Sequence, residues 1–384
     1  MTTYKLYNSF KDLPEAWSVL SKNDLFFQES YLKAMELASP TNISWYYVGI
    51  FKEQKLVGIA IIQRVELYLK DMFREHTDGF FIRSLKDILS IFLRGNMLVV
   101  GNMTHTGQHG LYHTKEISKN DFCDAIIRAL NDLRLKIKNE NHKKIRVILW
   151  KDYFSDQVPF GNSLVYTKEQ LNRVEVQPNM ILKVKDHWKT FDDYLTDLNK
   201  KYLRRYRTAL KKAKNIRKEE LDIEQVRTLN DTMYQYYKTV SDNASFNTFI
   251  LPKNHFISLK TELKDAFKVY GYFLDNELIG FYTLLINKSQ LETYFLGYHP
   301  NYQYTYQLYL NMLYDMAAYG INQGFQNVVY ARTAMEIKSS VGAEALPMVV
   351  FMKHTNSLLN ALFRQIFKLM NPTKKWEERH PFKH

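Results

Sequence analysis

Two stretches, YVGIFKEQKLVGIAII from Tyr47 and VYGYFLDNELIGFYTLL from Val269, align without a gap: Gly49 with Gly271, Phe51 with Phe273, Leu56 with Leu278, Gly58 with Gly280. Each reads as two apolar strands around a short polar turn, and Asp275-Asn276 suits the positive φ of a two-residue connection. A period of about 220 residues is too long for a solenoid and implies two related domains in one chain.

The flanks repeat as well. Helix candidates Leu13–Leu20 and Ser30–Leu37 precede the first hairpin; Ile223–Val240 and Pro252–Leu263 precede the second. After each comes a strand (Asn96–Val100; Leu291–Leu296), a long amphipathic helix (Ser118–Lys138; Thr305–Gly320) and a further strand (Ile145–Trp150; Asn327–Ala331). Both halves read α-α-β-β-β-α-β, a mixed α/β order, and 384 residues with 46% hydrophobic content can fill two cores.

Between the halves, apolar residues recur at helical spacing from Phe191 to Ile216, which predicts one helix of about seven turns. It is acidic at its start and basic at its end, as the helix dipole favours. Ten Lys or Arg and no acid lie between Lys200 and Lys218, so most of the net charge of +13 is local to this segment. The expected domains are 1–185 and 221–384, with 186–220 as a linking helix. The basic run supports three readings: a solvated face, a nucleic-acid surface that includes tRNA, or contact with an anionic membrane. In the last, a tail helix at Leu358–Met370 would add a second contact.

The N-terminus shows no basic segment followed by an apolar one, and no apolar run reaches roughly 18 residues. With a single cysteine, Cys123, no intramolecular disulfide forms, and a reducing, cytoplasmic setting is expected, with peripheral contact at the inner membrane face as an addition.

The chain resembles tandem GNAT-fold proteins of the Fem-type peptidyltransferase group and their bacterial N-acetyltransferase relatives. The resemblance rests on GNMTHTGQHG (Gly101–Gly110), QPNM (Gln177–Met180), KKYLRRYRTALKKAK (Lys200–Lys214), FLGYHP (Phe295–Pro300), QLYLNMLYDM (Gln307–Met316), ARTAMEIKSSVGA (Ala331–Ala343) and RHPFK (Arg379–Lys383). It implies two GNAT-like domains, each a mixed sheet flanked by helices, with acyl transfer where strands four and five of the second domain part. It also implies that Lys338 and Gly342 match positions lining a donor or acceptor channel. Many acetyl-CoA enzymes of this fold hold the pyrophosphate in a glycine-rich turn after the fourth strand. Here that turn, YHPNYQYT (Tyr298–Thr305), has no glycine, as in Fem-type proteins, which use aminoacyl-tRNA.

Direct acyl transfer to an amine needs a base, oxyanion donors and a proton for the leaving group. Glu292, Tyr294 and Tyr298 share one face of a strand by its two-residue period. Glu292 is a candidate base, His299 at the strand end an alternative, and Tyr294 a proton donor. Arg332, Thr333, Glu336 and Lys338 emerge after the following strand as substrate-binding candidates; Arg332 could fork a phosphate or carboxylate, or pair with Glu336 one turn on. In the first domain, Asn102 and His109 of the glycine-rich loop are further substrate contacts. His105, His109 and His113 recur every four residues, but Gly107 and Gly110 oppose a helix, so no metal site is expected. Gln303, Tyr304 and Thr305 would contact the donor.

The expectation is therefore an N-acyltransferase moving an acyl group from acyl-CoA, a co-substrate and not a resident cofactor, to the amine of a small molecule or cell-wall precursor. An aminoacyl-tRNA-dependent transferase and a non-catalytic binding protein on the same scaffold are the alternatives; fold alone does not separate them.

Overall fold

The computed structural model describes residues 2–67, 95–158, 169–244, 247–362 and 376–383. The chain divides into two compact units. The first contains Met1–Val176, Ala244–Leu251 and Pro347–Thr373; the second contains Gln177–Asn243, Pro252–Leu346 and Lys374–His384. The expected boundaries at 185 and 220 give way to this interleaved division, and the basic segment belongs wholly to the second unit.

In the first unit, β1 (Thr2–Tyr7), α1 (Glu15–Ser21) and α2 (Glu29–Leu37) precede the first hairpin, β2 (Ile43–Lys52) and β3 (Lys55–Leu67). Glu53 and Gln54 make its turn at φ 49° and 68°. β4 (Gly95–Val100) runs antiparallel to β3, and β5 (Leu111–His113) also pairs β3. α3 (Lys119–Asn141) then buries Phe122, Ile126, Leu130, Leu133 and Ile137, one stripe at helical spacing, and leads to β6 (Ile145–Phe154), which lies parallel to β4.

The second unit begins in β7 (Asn172–Lys183). The predicted seven-turn helix is two: α4 (Phe191–Asp197) and α5 (Lys200–Lys212), parted where Leu198 turns extended (ψ 139°) and Asn199 caps α5 by accepting from Tyr202 N–H at 3.3 Å. β8 (Arg217–Glu220), α6 (Ile223–Asp242) and α7 (His255–Leu263) follow. The second hairpin, β9 (Phe267–Leu274) and β10 (Glu277–Asn287), turns on Asp275 and Asn276 at φ 47° and 67°, as expected.

β11 (Gln290–Tyr298) leads into α8 (Pro300–Tyr306) and α9 (Leu308–Asn322). The sequence predicts one helix here, but Gln307 enters the left-handed region (φ 49°, ψ 46°) and breaks it. Asn311 holds the break: its side-chain N–H groups donate to the carbonyls of Tyr306 (3.0 Å) and Gln307 (3.2 Å), and across to Ala209 of α5 (3.1 Å). β12 (Asn327–Ala331), α10 (Met335–Ser339) and β13 (Glu344–His354) follow; from Pro347 onward β13 belongs to the first unit, where it pairs antiparallel with β6. Strand order in the second unit is β7-β12-β11-β10-β9-β8. Most of the tail helix expected at Leu358–Met370 lies outside the described residues.

Candidate functional site

The feature that makes a site in the second unit is a parting of strands. β11 and β12 pair in parallel over only three positions, ending at Glu292 with Val329. Beyond it β11 follows β10 out to Tyr298, while β12 turns away through three residues at positive φ: Ala331 (59°), Thr333 (65°) and Ala334 (45°). Left-handed backbone is costly for a β-branched residue such as Thr333.

Lys338 offsets that cost. Its side chain is 5% exposed, and its ammonium donates to the carbonyls of Tyr330 (2.5 Å), Arg332 (2.6 Å) and Ala331 (3.3 Å). A single side chain thus supplies the N–H donors that a neighbouring strand no longer provides. Burial pushes the Lys338 amine down to about 7 and the nearby Arg332 guanidinium down to about 10.

Beside this turn lies a cleft of about 760 Å³. One wall is α5, presenting Lys201, Arg204, Arg205 and Thr208; the other is Ala334–Ile337 at the start of α10, with Gln307 at the helix break. The C-terminal tail closes it with Trp376 and Arg379. Arg379 pairs with Glu336, which ties the tail to this wall. Arg379 N–H also donates to Ser339 Oγ at 3.0 Å.

Further along, Asn199 N–H donates to Pro381 O and Lys383 N–H to Asp197 O, both at 2.9 Å. Between these bonds Phe382 packs on Trp188 and Tyr194, with ring centroids 5.2 and 5.6 Å away. Gly342, at φ 92°, leaves the space that the Phe382 ring fills. The RHPFK segment is therefore structural wall and strap for the cleft.

The other expected residues divide. Of the substrate-binding candidates, only Glu336 lines the cleft; Thr333 is exposed next to it, and Lys338 lies in the turn behind. Glu292, expected as the base, is 4% exposed within the sheet, between Leu285 and Val329. Tyr294 hydrogen-bonds His255 Nε2 at 3.0 Å and stacks on its ring. His299 does the work of a helix cap, Nδ1 accepting from Asn301 N–H at 3.3 Å. Tyr298 pairs across to Gly280.

The expected donor contacts also stand elsewhere. Gln303 Oε1 accepts from Tyr309 N–H at 2.9 Å, which occupies one of the free amides of α9. Tyr304 is 84% exposed and Thr305 is on the surface.

Asn102 and His109 belong to the first unit. Asn102 is buried and donates to Tyr31 Oη (2.7 Å) while its oxygen accepts from Gln63 and Thr104, a loop-holding role. His109 packs on Phe26, ring centroids 4.0 Å apart. The loop carrying His105 and His109 is turns, with His113 on β5, and not a helix.

The parted parallel strands, the flanking helices and the repetition in two units define a tandem GNAT-type fold. No protein-family model matches the chain, and no curated protein matches it significantly. Solved structures do. It is similar to the crystal structure of FemX, at 11% identity over 94% of this chain and 100% of that one, with TM-score 0.56. It is similar to a tandem GNAT protein from the clavulanic acid biosynthesis pathway, at 10% identity over 93% and 99%, TM-score 0.51. It is also similar to the C-terminal domain of a putative lysylphosphatidylglycerol synthetase from Agrobacterium fabrum, at 9% identity over 94% and 98%, TM-score 0.50. At these identities the likeness is one of fold. Among the described residues, no helix is long and apolar enough to cross a membrane.

Proposed function

We propose that the chain is an acyltransferase that takes its acyl group from an aminoacyl-tRNA and moves it to an amine, using the cleft between α5 and α10. The observation that carries this reading is the row Lys201, Arg204 and Arg205, which faces the cleft and makes no ion pair among the described residues. Charges left unpaired beside a cleft of this size suit a polyanion. Acyl-CoA fits less well, because the turn after β11 has no glycine and Gln303 already occupies an amide at the start of α9. The names of the similar structures, FemX, a tandem GNAT protein and a lysylphosphatidylglycerol synthetase, agree with transfer chemistry on this fold.

In this reading α5 holds phosphates at the end of the donor RNA. The acceptor amine, on a small molecule or a cell-wall precursor, approaches Glu336, the one carboxylate among the described residues lining the cleft. Glu336 takes a proton from the acceptor ammonium. The freed amine attacks the ester carbonyl, the C–N bond forms, the ester C–O bond breaks, and the departing ribose oxygen receives the proton that the amine loses. No covalent enzyme intermediate is required.

The test is binding of tRNA at two salt concentrations, alongside a thermal shift with acetyl-CoA. We expect tRNA binding that weakens steeply with salt and no stabilisation by the thioester. Stabilisation by acetyl-CoA without tRNA binding would return the donor to acyl-CoA, and silence from both would favour a non-catalytic binding protein.

A further inference from the structure

The first unit repeats the strand parting on a smaller scale. β4 and β6 pair in parallel up to Val100 with Trp150, then β4 ends and β6 runs on through Lys151 and Tyr153. A cavity of about 150 Å³ opens there, bounded by these strand ends, by Lys119 and Phe122 in the first turns of α3, and by Gln108 and His113 from the connection between them.

The loop that carries Gln108 is fixed at both ends and within. Gly101 N–H donates to Ile61 O at 3.0 Å and Ile61 N–H to Gly110 O at 2.9 Å, so one residue of β3 pins both ends. The two glycines approach so closely that a Cβ on Gly110 would overlap Gly101. Inside the loop, Lys151 donates to His105 O at 2.6 Å and pairs with Asp152, which accepts from Gly107 N–H at 3.2 Å. Gln108 has little freedom to seek partners elsewhere, yet its Oε1 is buried with no hydrogen bond among the described residues. An acceptor left in that state is destabilising and calls for an occupant with a donor.

The surrounding groups narrow the occupant. Lys151 is matched by Asp152, so the local positive charge comes from Lys119, whose ammonium spends one donor on Val158 O at 2.6 Å and keeps two. His113 Nδ1 faces Thr114 O at 3.0 Å and must donate to it, which leaves Nε2 as a second acceptor in the neutral ring. Val100 and Phe122 supply apolar wall. The volume lies well below the roughly 300 Å³ of pockets that take drug-sized ligands.

We propose that this pocket binds a small amino-acid group, an N–H donor beside a carboxylate with a short side chain, its nitrogen on Gln108 and its carboxylate on Lys119. The group arrives either as a free amino acid or as the C-terminal residue of a peptide. This site is separate from the transfer cleft and stands whether or not that cleft takes tRNA.

The experiment is calorimetric titration of the full chain with L-alanine, L-alanyl-L-alanine, propionate and ethylamine, repeated on Gln108→Leu and Lys119→Met. We expect alanine or the dipeptide to bind at millimolar concentration or below, about 10-fold or more tighter than either single-group compound, with each variant losing about 10-fold. Gln108→Leu should unfold no earlier than the parent, since it removes the orphaned acceptor. Binding of alanine identifies a free amino acid, and binding of the dipeptide alone a peptide end. A pocket that holds only water gives no heat with any of the four, and that result overturns the proposal. So does binding that both variants retain, or propionate binding as tightly as alanine.

Discussion

Lys338 Nζ sits 2.6 Å from the carbonyl oxygen of Arg332, six residues earlier in the chain, and ties the turn after β12 to the helix that follows it. The same ammonium serves Tyr330 and Ala331. Lys338→Met keeps the length and removes all three bonds to these carbonyls. We expect a loss of about 3 kcal/mol or more in urea unfolding. A loss under about 1 kcal/mol would mean that water or backbone readily replaces the ammonium.

The same residue makes stability depend on pH. Burial lowers the Lys338 pKa to about 7 in the folded chain, against roughly 10.4 unfolded. Above the folded value the unfolded state binds more protons, so stability should rise with pH from about 7 towards 10, by up to about 1.4 kcal/mol per unit. Below about 7 both states are protonated and the cost of burying the charge is fully present. The difference between parent and Lys338→Met, followed by urea unfolding from pH 6.5 to 9.5, isolates this contribution; identical slopes would contradict it.

Gly342→Ala should release the tail. Its φ of 92° disfavours any side chain, and the new Cβ would overlap the Phe382 ring. We expect about 1–3 kcal/mol of destabilisation and faster proteolysis near Phe382. Phe382→Ala should mimic the second effect without the backbone strain.

Arg204→Ala with Arg205→Ala should weaken tRNA binding across all sequences and reduce the slope of log affinity against log salt by about 1.5–2, as loss of two phosphate contacts requires. An unchanged slope would place the RNA elsewhere.

The two hairpins were legible from sequence because their determinants are local: alternating apolar residues, and turn residues that tolerate positive φ. The end of β12 was also legible as a place where charges gather, though not its reason, which is a lysine standing in for a missing strand. The basic run and ARTAMEIKSSVGA read as separate features. Their residues face one cleft only because α5 and α10, more than a hundred residues apart, fold together. Neither helix break is marked by a glycine or proline at Leu198 or Gln307; Asn199, Gln303 and Asn311 set them through side-chain bonds. Tyr294 and His299 carry side chains fit for catalysis, and the fold uses one beside a buried histidine and the other as a cap.

The most direct test of the transfer cleft is photo-cross-linking with a tRNA carrying an azide on its 3′-terminal adenosine, followed by mapping of the adduct. We expect adducts on 334–337 or on Trp376, lost when unlabelled tRNA competes and kept with excess acetyl-CoA. Adducts confined to the first unit, or labelling that acetyl-CoA abolishes while tRNA does not, would contradict a cleft built for an RNA-borne acyl group.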